Sequence, residues 1–258
     1  MTTEMQRVIF VAREAAGLIL MNGGETYRAE ETAARIGQAF GYDMDIIALP
    51  TGLTMAVAKD GESASSIARV SHRTTDLTKL EQVNEVSRAL AAHEMTLDEA
   101  ALVLRGVREA KTPGGWRSIL AAGGSAAMFA VMFGGGWFEF LVAGLVSAVI
   151  QALLAFIPDQ GGAPLSCLMG GFLAAALALA AVTLCGRGNL SLIVWSIIMP
   201  LLPGLAFTNG IRDSMRGDMV SGGARVTDAV MRAVVLAGGA GIAMWCYLRL
   251  GGAATWLM

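Results

Sequence analysis

The sequence predicts two blocks of different class. Residues 1–115 read as an α+β cytosolic domain with elements in the order αα-βββ-αα. Residues 116–258 read as an all-α membrane domain of five transmembrane helices. Three observations predict this. Hydrophobic residues make up 55% of the 258 and charged residues only 16%, where a soluble domain is usually about one-quarter charged. The charges are uneven: residues 1–117 hold 29 of the 40, and 118–211 hold only Glu139, Asp159 and Arg187. The changeover falls at Thr112-Pro113-Gly114-Gly115, a cluster of residues that break regular structure.

The N-terminal elements follow from periodicity. Ile9, Ala12, Ala16 and Ile19 make a helical face, ended by Gly23-Gly24. Ala29, Ala33, Ile36 and Phe40 make a second, ended by Gly41. Short apolar runs over 45–49, 53–58 and 66–70, separated by Pro50 to Gly52 and Asp60-Gly61, read as strands. Leu77, Leu80, Val83, Ser87 and Leu90 give a third helix. Thr96 with Glu99 is a capping box that opens a fourth.

A span needs about 20 mostly apolar residues. Five runs qualify: about 118–133, 137–157, 164–185, 190–208 and 229–248, with Arg232 near the start of the last, where it can snorkel to headgroups. Short connections at Gly134 to Gly136, Pro158 to Ala163 and Gly186 to Gly188 separate them, and a longer polar loop is expected from Asn209 to Asp228. Glycine pairs such as Gly123-Gly124, Gly170-Gly171 and Gly238-Gly239 suit close helix packing in lipid. Arg105, Arg108, Lys111 and Arg117 precede the first run, and Arg212, Arg216, Arg225 and Arg232 flank the long loop. The positive-inside rule then places the N-terminal domain in the cytosol, and an odd number of spans places the C-terminus outside. The N-terminus has no basic n-region, and Arg7, Arg13 and Glu14 interrupt its first apolar run, unlike a signal peptide.

The net charge of −2 gives no footprint for nucleic acid. Three scattered cysteines make neither a disulfide framework nor a zinc pattern, so no metal or cofactor is expected. No phosphate loop, GxSxG elbow or HExxH stretch is present. His72, in Ser71-His72-Arg73 near Asp76, reads as a solvated loop histidine, and no catalytic residue is assigned. Two N-terminal segments stand out. Glu25, Arg28, Glu30 and Glu31 open a helix, where acidic groups also simply suit the helix dipole. Pro50-Thr51-Gly52 links two strands, as a plain hairpin turn also would.

The densest unusual stretch runs from Met199 to Asp228. Pro200, Pro203 and Gly204 lie inside the fourth run. Proline removes a backbone donor and breaks a helix; freed carbonyls in a membrane need cover from protein or a watery cavity. Broken helices of this kind build transporter sites. Asn209, Arg212, Asp213, Arg216, Asp218 and Arg225 follow. The arginines can clamp a carboxylate, and the aspartates can carry a proton or hold the arginines. A kinked helix with a salt-bridged loop accounts for the same residues.

Pro203 to Arg225 spells PGxxxTNxxRDxxxGDxxSGxxR. With Gly23-Gly24-Glu25-Thr26-Tyr27-Arg28-Ala29-Glu30, Pro50-Thr51-Gly52 and the helix bearing Asn84, it resembles the threonine/serine exporter family over nearly the whole chain. The resemblance implies a secondary transporter that exports small carboxylated metabolites: threonine, serine or a dicarboxylate such as succinate. It also implies a split arrangement, in which a separate small membrane protein of four or five spans supplies a second half. Self-association stays open. Glu139, near an expected aspartate, and His72, in place of a basic pair, depart from the family pattern and leave the substrate open. The rival readings are a membrane-anchored hydrolase around Glu25, Arg28 and His72, and a regulatory or scaffold subunit.

Overall fold

The computed structural model describes residues 3–59, 61–110, 115–155 and 162–250. The helix-breaking Thr112 to Gly114, Asp60, the connection from Pro158 to Gly161 and the last eight residues lie outside them. The chain divides into two compact units, one of Met1–Thr112 with Leu205–Thr227, the other of Pro113–Gly204 with Asp228–Met258.

The first unit is centred on α1 (Thr3–Met21), which packs against α2 (Thr26–Ala39), α3 (Leu77–Ala91), α4 (Leu97–Glu109) and the sheet. Val8, Ala12, Ala15, Ala16 and Ile19 are fully buried, so α1 is the core rather than a half-exposed face. Strands β1 (Asp43–Leu49), β2 (Gly52–Lys59) and β3 (Glu62–Arg69) form an antiparallel sheet in sequential order. Alternation sends Met44 and Ala48, then Leu53, Met55 and Val57, into the core. Pro50 and Thr51 make the two-residue turn, because Leu49 pairs with Gly52. Asp76 caps α3 by accepting from the backbone N–H of Thr78 and Lys79. The Thr96–Glu99 capping box opens α4.

Two further helices bring residues 205–227 into this unit. Helix α9 (Gly204–Met215) and the start of α10 (Met219–Arg249) form a hairpin. Gly217 makes the turn with φ +97°, and Asp218 accepts from the Ser221 N–H at 3.1 Å to cap α10. The two arms cross at glycines: a Cβ on Gly222 would lie 2.6 Å from the Gly210 carbonyl oxygen.

The second unit contains α5 (Trp116–Met132), α6 (Trp137–Ala155), α7 (Gly162–Cys185), α8 (Leu190–Ile198), a 3-10 turn (Met199–Leu201) and the remainder of α10. Its core is rich in alanine, including Ala126, Ala130, Ala143, Ala174, Ala175 and Ala178. Backbones come very close where side chains are absent. A Cβ on Gly239 would sit 2.1 Å from the Leu168 carbonyl oxygen, and one on Gly123 would sit 2.9 Å from that of Gly144.

The expectation of an N-terminal α+β domain followed by five transmembrane helices is corrected here. Among the described residues three helices are long and apolar enough to cross a membrane: Trp137–Ala155, Pro164–Cys185 and Met219–Arg249. A bent pair, Leu190–Leu201 with Gly204–Met215, makes a fourth if counted as one span. Helix α5 has 17 residues, about 26 Å at 1.5 Å each, against a hydrocarbon core of about 30 Å. Pro203 stops the fourth run: it lacks the N–H that would reach the Met199 carbonyl, and Leu202 N donates there instead. The expected loop from Asn209 to Asp228 is mostly helix. The last helix starts at Met219, ten residues before the expected span.

Candidate functional site

The site lies in the first unit, where the turn after α1 meets the α9–α10 hairpin. Helix α1 ends because Gly23 adopts φ +86°, a conformation costly for other residues, and Gly24 N–H donates back to the Ile19 carbonyl at 2.9 Å. The carbonyls of Gly23 and Gly24 therefore leave the helix with no intrahelical donor to meet them. Glu25 is the N-cap of α2, with no side-chain cap bond of its own.

Five consecutive residues, Gly23 to Tyr27, each touch the hairpin. Asn209 Nδ2 donates to the Gly23 carbonyl at 2.9 Å. Arg225 Nη2 donates to the Gly24 carbonyl at 2.7 Å. Arg212 Nη1 donates to Glu25 Oε1. Thr26 Oγ1 donates to Asp218 Oδ2 at 2.9 Å. The Arg216 guanidinium stands 3.7 Å from the centre of the Tyr27 ring, within cation–π range. The sheet joins the cluster through Ala48: its N–H donates to Glu30 Oε1 at 2.8 Å, and its carbonyl accepts from Ser221 Oγ at 3.4 Å.

Within the hairpin, Arg225 Nε lies 3.1 Å from Asp213 Oδ2, with side chains 8% and 0% exposed. The pair is close in distance but not aligned as a hydrogen bond, so Asp213 holds its charge partner without an aimed donor. A buried pair is costly to break, because the surviving charge has no water around it.

Glu25 also has Arg28 Nη1 at 3.6 Å from Oε2, so two guanidinia meet one buried carboxylate. Burial would push its pKa up. The backbone N–H group and the two arginines outweigh burial and hold the carboxyl below its ordinary value. Glu30 goes the other way: burial and the nearby charges of Asp218 and Asp213 raise it, against the Ala48 hydrogen bond. Asp218 is pushed up by burial, but bonds from Ser221 and Thr26 and the Arg225 charge bring it down.

The structure therefore joins Asn209, Arg212, Asp213, Asp218 and Arg225 with Glu25, Arg28 and Glu30, two groups far apart in sequence. Pro200 lies in the 3-10 turn, and Pro203 and Gly204 fall at the break in the second unit. Pro50, Thr51 and Gly52 form the β1–β2 turn, where a Cβ on Gly52 would press 2.6 Å from the Ala68 carbonyl oxygen. His72 is exposed, and Asp76 is occupied in capping α3, which leaves no Ser/His/Asp arrangement there. Sequence reasoning missed Thr26, Tyr27 and Ser221. All three stand in the quoted motifs without a role assigned to them: Thr26 and Tyr27 in the Gly23–Glu30 segment, and Ser221 in the Pro203–Arg225 pattern. A groove of about 730 Å³ lies elsewhere, beside Phe40 and His93.

Apolar helices long enough to cross a bilayer mark an integral membrane protein. Over residues 11–247 the chain matches the family described as "Putative threonine/serine exporter", and it belongs to that family. It is 25% identical over 231 residues to a "Probable threonine/serine exporter" of Mycobacterium tuberculosis, covering 87% of this chain and 43% of that one. It is 24% identical over 228 residues to a "Probable succinate transporter subunit YjjP" of Klebsiella aerogenes, covering 86% of this chain and 87% of that one. The chain thus spans less than half the length of the first relative. No solved structure matches it.

Proposed function

We propose that the chain is one subunit of a secondary transporter that exports small carboxylated metabolites from the cytosol: threonine and serine, or a dicarboxylate such as succinate. A separate small membrane protein of four or five spans supplies the other half. The name of the Klebsiella relative, a subunit, supports this. Coupling to an ion gradient is supported by elimination, since the chain has no phosphate loop. The first unit faces the cytosol, and with three spans, an odd number, the C-terminus lies outside. Both arginine-rich groups, residues 105–108 and 212–225, belong to that unit, as the positive-inside rule requires of one face.

The observation that carries the reading is the convergence of Arg212, Arg225 and Asn209 on one turn, in the segment that follows the proline break. An anchor for a hydrolase has no use for a polar hairpin, and both relatives are named for transport. In this reading Asn209, Arg212, Asp213, Asp218 and Arg225 line the substrate path. Glu25, Arg28 and Glu30 form its cytosolic edge with Pro50, Thr51 and Gly52, and Pro200, Pro203 and Gly204 break the helix that precedes the hairpin in sequence.

The test is export by Arg212→Lys. A guanidinium presents two parallel donors to a carboxylate, and lysine presents a point charge. Export should fall about tenfold or more at unchanged membrane abundance. Wild-type flux in this variant contradicts a carboxylate contact at Arg212.

A further inference from the structure

Glu25 and its two arginines differ sharply in their access to water. The Glu25 side chain is 5% exposed, while Arg212 and Arg28, on either side of it, are 53% and 41% exposed. The two guanidinia therefore reach solvent, and the carboxylate between them does not. The α2 N-terminus beside Glu25 receives no side-chain cap bond. Arg28 also lines a groove of about 300 Å³, together with Arg88, Asn84 and the acids Glu81 and Glu85. That volume is at the lower end of ligand sites and suits a small metabolite.

We propose that Arg28 and Arg212 form a carboxylate-binding site that Glu25 fills in this structure, and that a small carboxylate ligand enters by exchange with Glu25. The exchange swaps one carboxylate for another on the same two guanidinia, so no arginine is left uncompensated. The displaced Glu25 has a place to go, since the open N-terminus of α2 favours negative charge. While Glu25 stays in place, Arg212 also ties α9 to the turn after α1. Ligand entry then releases one of the five contacts between the turn and the hairpin, and the other four remain. This rests on the export reading and deepens it by naming the group the substrate must displace.

The test uses the full chain purified in detergent, with L-threonine, succinate and acetate as probes. Alaninol, which lacks a carboxylate, is the control. Ligand-dependent shifts in thermal unfolding give apparent Kd values, and export from cells is measured in parallel. Glu25→Gln removes the competing charge and should bind a carboxylate probe about fivefold more tightly than wild type, the scale of a half-exposed ion pair. Arg28→Gln and Arg212→Lys should bind more weakly, and alaninol should shift none of them. Glu25→Asp keeps the charge on a shorter arm and should fall between, which covers a failure of Glu25→Gln to fold. Equal Kd values in wild type, Glu25→Gln and Glu25→Asp overturn the proposal, as does the absence of any carboxylate-dependent shift in all variants. If cells export none of the probes while Glu25→Gln still binds more tightly, the export reading fails and the exchange site stands. If wild type exports and the Glu25 variants leave Kd unchanged, the reverse holds.

Discussion

Each unit has one interface made by a means opposite to the other's. In the first, the turn from Gly23 to Tyr27 and the α9–α10 hairpin meet through charged and hydrogen-bonded groups, several of them fully buried. Thr26, Asp213 and Ser221 are 0% exposed, and Arg225 is 7% exposed. In the second, the helices meet through what is missing: glycines let Leu168 and Leu236 carbonyls touch the opposing backbone, and alanines fill the rest. Buried polar groups demand matched partners, so the first interface specifies one arrangement by chemistry. Backbones packed through small residues specify theirs by shape. The two should therefore fail differently.

The largest effect is expected in the charged interface. Asp213→Ala leaves Arg225 buried without its counter-charge, a loss of about 3–5 kcal/mol. Thermal unfolding of the purified chain should drop sharply. A shift of only a few tenths of a kcal/mol would mean that water reaches Arg225 and that the interface is not dry. The shape-based interface should respond to single methyl groups. Gly239→Ala drives a Cβ onto the Leu168 carbonyl, which is backbone and cannot swing aside, and should cost about 1–3 kcal/mol. A methyl group on its neighbour Gly238 would meet nothing within 4 Å, so Gly238→Ala should be neutral or gain up to about 1 kcal/mol from helix propensity. Equal losses at both positions would remove the close approach as the cause.

A smaller effect separates the two acids of the first unit by pH. Glu30 has a raised pKa in the folded chain, so its protonated form favours folding, and that contribution is lost as pH rises through the raised value. Glu30→Gln keeps the acceptor for Ala48 N–H and drops the charge. It should be at least as stable as wild type at pH 7, with the difference shrinking as pH falls. Glu25 has a lowered pKa, so its stabilising charge is present above the ordinary carboxylate value and is lost as pH falls through the lowered one. Glu25→Gln should therefore be less stable than wild type at pH 7 and converge with it in acid. Unfolding midpoints from about pH 3 to 7 check both signs; parallel curves for the two variants would contradict them.

Local features were legible in the sequence. The capping box at Thr96, the glycine stop after α1 and the proline stop at Pro203 follow from chemistry within a few residues, and each is seen. The Asp218–Ser221 cap that starts α10 was equally local but was hidden by the polarity of its surroundings, which read as a loop. Those polar residues are helical because their partners are the Gly23–Tyr27 turn and Ala48 rather than water. Hydrophobic periodicity reports which face of a helix is apolar. It carries nothing about a hydrogen bond between residues as distant in sequence as Thr26 and Asp218, so both segments could be marked as unusual but not paired. The number of spans was misread for a related reason. Apolar runs count residues, and α5 and α8 stop short for backbone reasons, at Gly134 with its positive φ and at the prolines.

The central claim is that the Gly23–Tyr27 turn and the Asn209–Arg225 hairpin form one site. A double-mutant cycle on Thr26 and Asp218 tests it most directly. Thr26→Val removes the hydroxyl at nearly constant shape. Asp218→Asn retains an oxygen to cap α10 at Ser221 and removes the acceptor that faces Thr26. Measured by thermal or denaturant unfolding of the full chain, the two changes should be non-additive, with a coupling of about 1.5 kcal/mol for a part-buried bond to a charged group. Changes that add to within about 0.5 kcal/mol would show that the two side chains do not meet, and the site would come apart with them.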